Sequence, residues 1–135
     1  MSDDDPNPIS AEDLTFALMD SGYRAELEKL EDGRKYILSS ASGWKFGLYL
    51  FELDDTPDVV DSIMFSFIAS RDVTLDQVNT WNRERRFGRA FLDEEGLLNV
   101  EWDCMMTHGN LAYFRECVEV WDRLLGRIDE FEKVS

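Results

Sequence analysis

The residues best suited to covalent or metal chemistry in this 135-residue chain are two cysteines, Cys104 and Cys117, and the one histidine, His108. A histidine that accepts a thiol proton turns the cysteine into a nucleophile, and the two need not be neighbours in sequence. The same residues could bind zinc, but the spacing Cys-x3-His-x8-Cys matches no standard site and supplies no fourth ligand. We therefore expect no metal site, and a Cys–His hydrolase is the third of three functional hypotheses.

The patterns around both cysteines favour a structural role. Cys104 continues a series of apolar residues at every second position, and Cys117 adjoins the apolar stripe of a helix. A buried free thiol packs like a small hydrophobic side chain. We accordingly expect two buried cysteines that are reduced rather than bridged, with no catalytic residue and no cofactor. The chain is predicted not to be an enzyme.

An acidic segment at residues 52–61 is a candidate calcium loop. Its five acidic residues are Glu52, Asp54, Asp55, Asp58 and Asp61. The segment lacks the alternating oxygen ligands, the central glycine and the closing glutamate of an EF-hand. We therefore predict a solvated surface loop. The sequence also contains no glycine-rich phosphate loop and no Gly-x-Ser-x-Gly nucleophile elbow.

A basic segment at residues 83–89 contrasts with the rest of the chain. Its four arginines and one glutamate give a local charge of +3, whereas 14 basic and 29 acidic residues give the whole chain −15. Guanidinium groups bind carboxylates and phosphates through paired hydrogen bonds and stack on aromatic rings. We predict a partner-binding site made of these residues: Trp81, Asn82, Arg83, Arg85, Arg86 and Arg89.

Composition and the N-terminus limit the class of protein. With 44% hydrophobic residues, the chain can build one core, while its negative charge opposes binding to nucleic acid or to anionic membranes. Residues 1–8 contain no basic residue and no apolar stretch, which argues against a secretory signal or transit peptide. We expect a disordered acidic tail over residues 1–8, a single domain over residues 9–135 and a cytoplasmic location.

Local signals predict the order α-β-β-β-β-α-β-β-α. Ser10 with Asp13, and Thr74 with Gln77, form capping boxes at the starts of two helices, and Asn110 caps a third. Alternating apolar residues between turns predict six strands: Tyr23–Leu30, Lys35–Ser40, Trp44–Phe51, Ser62–Ser70, Arg86–Leu92 and Leu97–Cys104. This is an α+β fold in which helices pack on one face of an antiparallel sheet.

For the last hairpin we predict a loop with an even number of residues, because an odd loop would mix apolar and polar residues on each face. This register places Arg89 on the apolar face and pairs Arg86 with Asp103. It also provides a structural alternative to the binding site, in which Arg86 forms that pair and Asn82 caps the end of the second helix.

The second half of the chain resembles the YbjN family of bacterial sensory transduction regulators. The resemblance rests on Asn79-x-Trp81-Asn82-Arg83-x-x-Arg86-Phe87-x-Arg89-Ala90-Phe91-Leu92-Asp93-x-Glu95-Gly96, followed by Leu98, Glu101 and Asp103. It implies a fold similar to type III secretion chaperones, usually as a dimer, and a regulatory or chaperone-like role. It implies no catalytic residue. The chain departs from the family at Thr107-His108-Gly109, where a glycine pair is common.

We therefore predict a non-enzymatic homodimeric adaptor that binds another polypeptide, either at a sheet edge or in an apolar groove. Six aromatic residues could line such a groove or fill the core: Trp44, Phe46, Tyr49, Phe51, Phe65 and Phe67. The alternative is a small-ligand or anion sensor, in which Arg83, Arg85 and Arg86 converge on a phosphate or carboxylate.

Overall fold

The computed structural model of the protein describes residues 8–56, 58–69, 72–107 and 109–132. In these ranges the elements are α1 (Ala11–Asp20), β1 (Glu26–Lys29), β2 (Lys35–Ala41), β3 (Trp44–Glu52), β4 (Val60–Ala69), α2 (Leu75–Glu84), β5 (Arg89–Leu92), β6 (Leu98–Met105), α3 (Leu111–Leu125) and a 3-10 helix, Ile128–Glu132. Their order confirms the α+β prediction. The predicted acidic tail, apart from Pro8, and His108 lie outside the described residues.

The helices begin where their capping residues predict. The Ser10 hydroxyl accepts a hydrogen bond from the Asp13 backbone N–H at 3.1 Å, and the Asp13 carboxylate accepts one from the Ser10 N–H at 3.0 Å. Thr74 and Gln77 form the same reciprocal pair at the start of α2, and the Asn110 side chain caps α3. These caps satisfy N–H groups of the first turn, which have no carbonyl partner within the helix.

The six strands form one antiparallel sheet in the order β1-β2-β3-β4-β6-β5. Alternate side chains of the central strand β4, Ile63, Phe65 and Phe67, are buried, as their spacing predicts. On this face Trp121 of α3 stacks on Phe65, with 5.2 Å between ring centroids, and α1 packs beside α3. The described helices therefore cover one face of the sheet. We call the opposite face the open face.

The register of β5 and β6 differs from the prediction by one residue. Arg89 lies opposite Glu101, and Ala90 takes the buried position. The reason is that the turn has an odd number of residues. Gly96 has a φ of 81°, as in three-residue hairpin loops that end in a bulge. The Asp93 carboxylate stabilises this turn by accepting two backbone hydrogen bonds, at 2.9 and 3.0 Å.

Several predicted boundaries also shift; the first strand, for example, spans Glu26–Lys29 rather than Tyr23–Leu30. The acidic loop is shorter than predicted, because Glu52 ends β3 and Asp61 lies in β4. The Glu52 carboxylate pairs with the Lys35 ammonium group across the sheet at 3.0 Å, which holds it in the strand. Helix α2 conversely continues to Glu84, beyond its predicted end near Asn82.

Candidate functional site

Trp81 belongs to the core. It is 2% exposed and lies on the same face of α2 as the buried Val78. The Arg85 guanidinium covers the indole ring, 5.3 Å from its centroid. A partner molecule therefore has no access to this ring while α2 is folded, although Trp81 was among the predicted binding residues.

Asn82 links α2 to the edge strand of the sheet. Its side-chain Oδ1 accepts a hydrogen bond from the Ala90 backbone N–H at 2.8 Å, and its Nδ2 donates to the Ala90 carbonyl at 3.0 Å. The amide thus takes the place of a neighbouring strand at this point of β5. The predicted helix-capping role of Asn82 is wrong, because both polar atoms of the side chain are engaged by the strand.

Arg85 and Arg89 each form an ion pair within the chain. The Arg85 guanidinium pairs with the carboxylate of Glu130 in the 3-10 helix. Arg89 pairs with Glu101 across the β5–β6 ladder at 3.0 Å. The prediction that Arg89 lies on the apolar face is wrong. The one-residue shift in register places Arg89 on the open face, beside the Glu101 carboxylate.

Arg83 and Arg86 are exposed, and neither forms an ion pair with any other described residue. The predicted pair of Arg86 with Asp103 is wrong, because β5 starts at residue 89 and Arg86 precedes the hairpin. The Arg86 guanidinium instead lies 4.7 Å from the ring centroid of Phe87. Phe87 is itself exposed and packs edge-on against Trp102, with 5.7 Å between ring centroids.

The backbone of Phe87 has a φ of 63°, a left-handed conformation that costs a non-glycine residue roughly 1–2 kcal/mol. At the next residue, Gly88, a Cβ would lie 2.6 Å from Leu124 Cδ2, so a side chain there would force Leu124 to move. The close approach to α3 thus constrains this connection. We call Arg83, Arg86 and Phe87 the arginine–phenylalanine patch. These three residues are exposed, and neither arginine forms an ion pair with another described residue.

The open face carries apolar side chains in contact with water. The most exposed are Leu38 (42%), Phe51 (37%), Ile68 (56%) and Met105 (63%). Between them, the rings of Tyr36 and Tyr49 stack across β2 and β3 with centroids 5.7 Å apart. Sequence analysis identified Phe51 and Tyr49 but missed Tyr36, Leu38, Ile68 and Met105. Apolar residues at successive positions of a strand, rather than at every second position, indicate that both faces of the strand are apolar.

The aromatic residues predicted for a groove divide between the two sides of the sheet. Phe46, Phe65 and Phe67 are buried beneath the helices, and the partly buried Trp44 packs against Phe67 and the same core, whereas Tyr49 and Phe51 lie on the open face. The interpretation as core residues is therefore correct for the first four. Tyr49 and Phe51 lie on the uncovered side of the sheet, where a partner can reach them.

Cys104 and Cys117 are both buried free thiols, as predicted. The side chain of Cys117, together with burial, raises the pKa of the Cys104 thiol. The side chains of Cys104 and Tyr113 lower the pKa of Cys117 against the opposing effect of burial. Because His108 lies outside the described residues, the hypothesis of a Cys–His hydrolase is not tested.

Two further features concern the part of the chain that the structure describes. Within it, no three cysteine, histidine, aspartate or glutamate side chains lie together as a metal-binding group. None of its helices is both long enough and apolar enough to cross a membrane.

The family model of YbjN, described as "Putative bacterial sensory transduction regulator", matches residues 10–119. This range extends from the cap of α1 into α3, so it contains all six strands, the arginine–phenylalanine patch and both cysteines. No curated protein matches the chain. The family match confirms the resemblance seen in residues 79–103 and indicates a regulatory role in sensory transduction.

Proposed function

Because the chain belongs to the YbjN family, we propose that it is a regulatory adaptor that binds another polypeptide and catalyses no reaction. It acts in the cytoplasm as a homodimer, the assembly implied by the similarity to type III secretion chaperones. The similarity to type III secretion chaperones is part of this proposal. The observation that supports the proposal is the open face of the sheet.

The open face supports binding because it leaves large apolar side chains without cover. Leu38, Ile68 and Met105 come from three different strands, so the exposed area spans β2, β4 and β6. Large apolar side chains exposed on one face of a sheet are typical of a surface that binds another molecule. Covering this face would remove these apolar side chains from water. Such burial stabilises a complex by about 25 cal/mol for each Å² of apolar surface.

Charge favours a basic partner. The chain carries −15 overall, and acidic residues lie among the aromatic and sulfur-containing side chains of the open face. Glu28 pairs in register with Tyr36, and Asp103 with Met64. A polypeptide segment that alternates apolar residues with lysine or arginine would bury its apolar side chains there and meet these carboxylates. Opposite charges of this kind also accelerate association.

Affinity capture from cell extract, with identification of bound proteins by mass spectrometry, tests the proposal. The open-face variant Ile68→Lys/Met105→Lys removes two apolar side chains and adds charge that repels a basic partner. The control is Leu75→Lys, because Leu75 is equally apolar and 72% exposed but lies on α2. We expect a polypeptide that binds the wild type and the control and is lost from the open-face variant.

Two results would contradict the proposal. One is the same set of bound proteins for all three chains, which would show that the open face is not used. The other is no protein above background with any of them. Circular dichroism on each variant, compared with the wild type, confirms that the loss of binding does not reflect unfolding.

The arginine–phenylalanine patch supports a second candidate function, a small-ligand or anion sensor. Its two guanidinium groups are exposed and form no ion pair with the described residues, so they are available to a phosphate or carboxylate. Inorganic phosphate or citrate would then raise the melting temperature at low salt, with an effect that decreases as salt increases. Arg83→Gln/Arg86→Gln should abolish this shift. An equal shift in this variant would rule the sensor out.

A further inference from the structure

A second exposed apolar surface lies on the helical side of the sheet, where α1 packs beside α3. Phe16 and Met19 of α1 are 68% and 54% exposed, whereas Leu14 and Leu18 of the same helix are buried in the core. Residues three apart lie on one face of a helix, so Phe16 and Met19 form an outward apolar stripe. Helix α1 therefore has two apolar faces, and the described residues cover the inner one.

The outward stripe borders a groove of about 470 Å³ between the two helices, which we call the α1–α3 groove. Its other apolar lining comes from Ala17 of α1 and Leu111 of α3, and its charged lining from Asp13, Asp20 and Arg115. Clefts that hold ligands have volumes of roughly 300–1,000 Å³. The groove is therefore large enough to receive side chains of another molecule.

The surroundings of the groove are acidic. The Arg115 guanidinium lies 3.7 Å from the Asp20 carboxylate, so its positive charge is already balanced within the chain. Glu12 and Asp13 add two negative charges in the first turn of α1. A second copy of this chain, with its net charge of −15, would be repelled here, whereas lysine or arginine side chains would be attracted.

We propose that the α1–α3 groove binds one basic amphipathic helix of a partner protein. Both walls of the groove are helices, whose backbone groups bond within each helix, so no sheet edge is available to a bound segment. Backbone N–H and C=O groups that lie unpaired against apolar surface are costly. The bound segment must therefore supply its own backbone hydrogen bonds, as an α-helix does.

Phe16 and Met19 are suited to hold such a helix. A phenylalanine ring offers a large apolar contact area, and the flexible thioether of methionine adapts to the side chains of a partner. The ten residues of α1 span about 15 Å, which matches about three turns of a bound helix. The partner then contributes apolar side chains at positions i, i+3 or i+4, and i+7, with basic residues on either side of them.

The groove and the open face lie on opposite sides of the sheet, so a helix can bind here whether or not the open face binds a partner. The test uses two fluorescently labelled peptides of the same leucine and lysine composition. In one the leucines form a single helical face, and in the other the order is scrambled. In anisotropy titrations with the full-length chain, we expect the amphipathic peptide to bind at least about tenfold more tightly. Circular dichroism should show that it becomes helical on binding.

The first variant removes the apolar stripe. Phe16→Ala/Met19→Ala should weaken binding of the amphipathic peptide by about tenfold or more, because both side chains are anchors of the complex. The matched control is Ile68→Ala/Met105→Ala, which removes two similarly exposed apolar side chains from the open face. This control should bind the peptide as the wild type does.

The second variant removes negative charge beside the groove. Glu12→Gln/Asp20→Asn should weaken binding and reduce its dependence on salt, because two attractive charges are lost. Glu94→Gln/Glu95→Gln removes the same charge from the turn before β6, at the other end of this strand from the start of α3. This control should bind more tightly than Glu12→Gln/Asp20→Asn.

Four results would overturn the proposal. They are no binding of either peptide, equal binding of both peptides, equal affinity of the wild type and Phe16→Ala/Met19→Ala, and equal affinity of the two charge variants. Loss of binding in Ile68→Ala/Met105→Ala alone would assign the peptide to the open face, which would overturn the groove as its site and leave the function of the open face intact. A dimer in sedimentation that dissociates in Phe16→Ala/Met19→Ala would show that a second copy covers the groove, and would overturn the proposal as well. Circular dichroism of each variant confirms that it is folded.

Discussion

The side-chain amide of Asn82 binds the backbone of Ala90 through two hydrogen bonds, at 2.8 and 3.0 Å. One side chain of α2 thereby satisfies both polar backbone groups that Ala90 turns away from β6. Edge strands with unpaired backbone groups are sites of unwanted pairing. The contact therefore both positions the β5 edge and occupies part of it.

We expect Asn82→Ala to lower the free energy of unfolding by about 1–3 kcal/mol, because two hydrogen bonds to the backbone are lost. Asn82→Asp should also destabilise the protein, since its carboxylate would face the Ala90 carbonyl. Urea denaturation measures both effects. The control is Asn79→Ala, an exposed asparagine on the same helix. Equal stability of Asn82→Ala and this control would contradict the role assigned to Asn82.

Trp81→Ala should cost roughly 3–5 kcal/mol of stability, the range for truncating a large buried aromatic residue. The side chain is 2% exposed, so its removal leaves a cavity under α2. Leu75→Ala, at an exposed position of the same helix, should change stability by less than about 0.5 kcal/mol. A loss below about 1 kcal/mol for Trp81→Ala in urea melts would instead identify Trp81 as a surface residue.

Phe87 offers a test of backbone strain. Phe87→Ala and Phe87→Gly both remove the ring that contacts Trp102, but glycine adopts the observed φ of 63° without steric cost. We therefore expect Phe87→Gly to be the more stable of the two by about 1 kcal/mol in urea denaturation. If Phe87→Ala were the more stable variant, the left-handed conformation of this residue would not be maintained in solution.

Asp93 should contribute a pH-dependent stability. The pKa of its carboxyl is lowered from 3.8, first by the Asn99 side-chain amide and then by the backbone N–H groups of the turn. A folded-state pKa below the unfolded value means that the stabilisation is present above pH 3.8 and is lost as the pH falls through the lowered folded pKa.

This contribution is measured as the difference in stability between the wild type and Asp93→Asn. The difference should be largest near neutral pH and should decrease on acidification, while the effects of the other carboxylates cancel. A difference that is constant down to low pH would show that the negative charge of Asp93 does not stabilise the turn.

Local sequence signals predicted the starts of the helices and the inward face of the central strand. Ser10 and Asp13 are three residues apart, and their hydrogen bonds need no distant partner. The alternation of Ile63, Phe65 and Phe67 likewise follows from strand geometry alone. The β5–β6 register was not predictable in this way, because a one-residue change in the turn exchanges the two faces.

Several residues of the predicted site have structural roles that the sequence did not indicate. Arg85 pairs with Glu130, which is 45 positions further along the chain, and no local pattern predicts that contact. Trp81 and Asn82 likewise acquire their roles from the packing of α2. That Arg83 and Arg86 form no ion pair with the described residues could be recognised only after these contacts were known.

Sequence alone established the family, the order of elements, the capped helix starts and the burial of both cysteines, because each depends on residue types and short-range spacing. The tertiary structure established which arginines are already paired and which apolar side chains stay exposed on the open face. These relationships depend on how α2 and α3 pack against the sheet. Such packing arises from many weak contacts between residues distant in sequence, and no single segment encodes it.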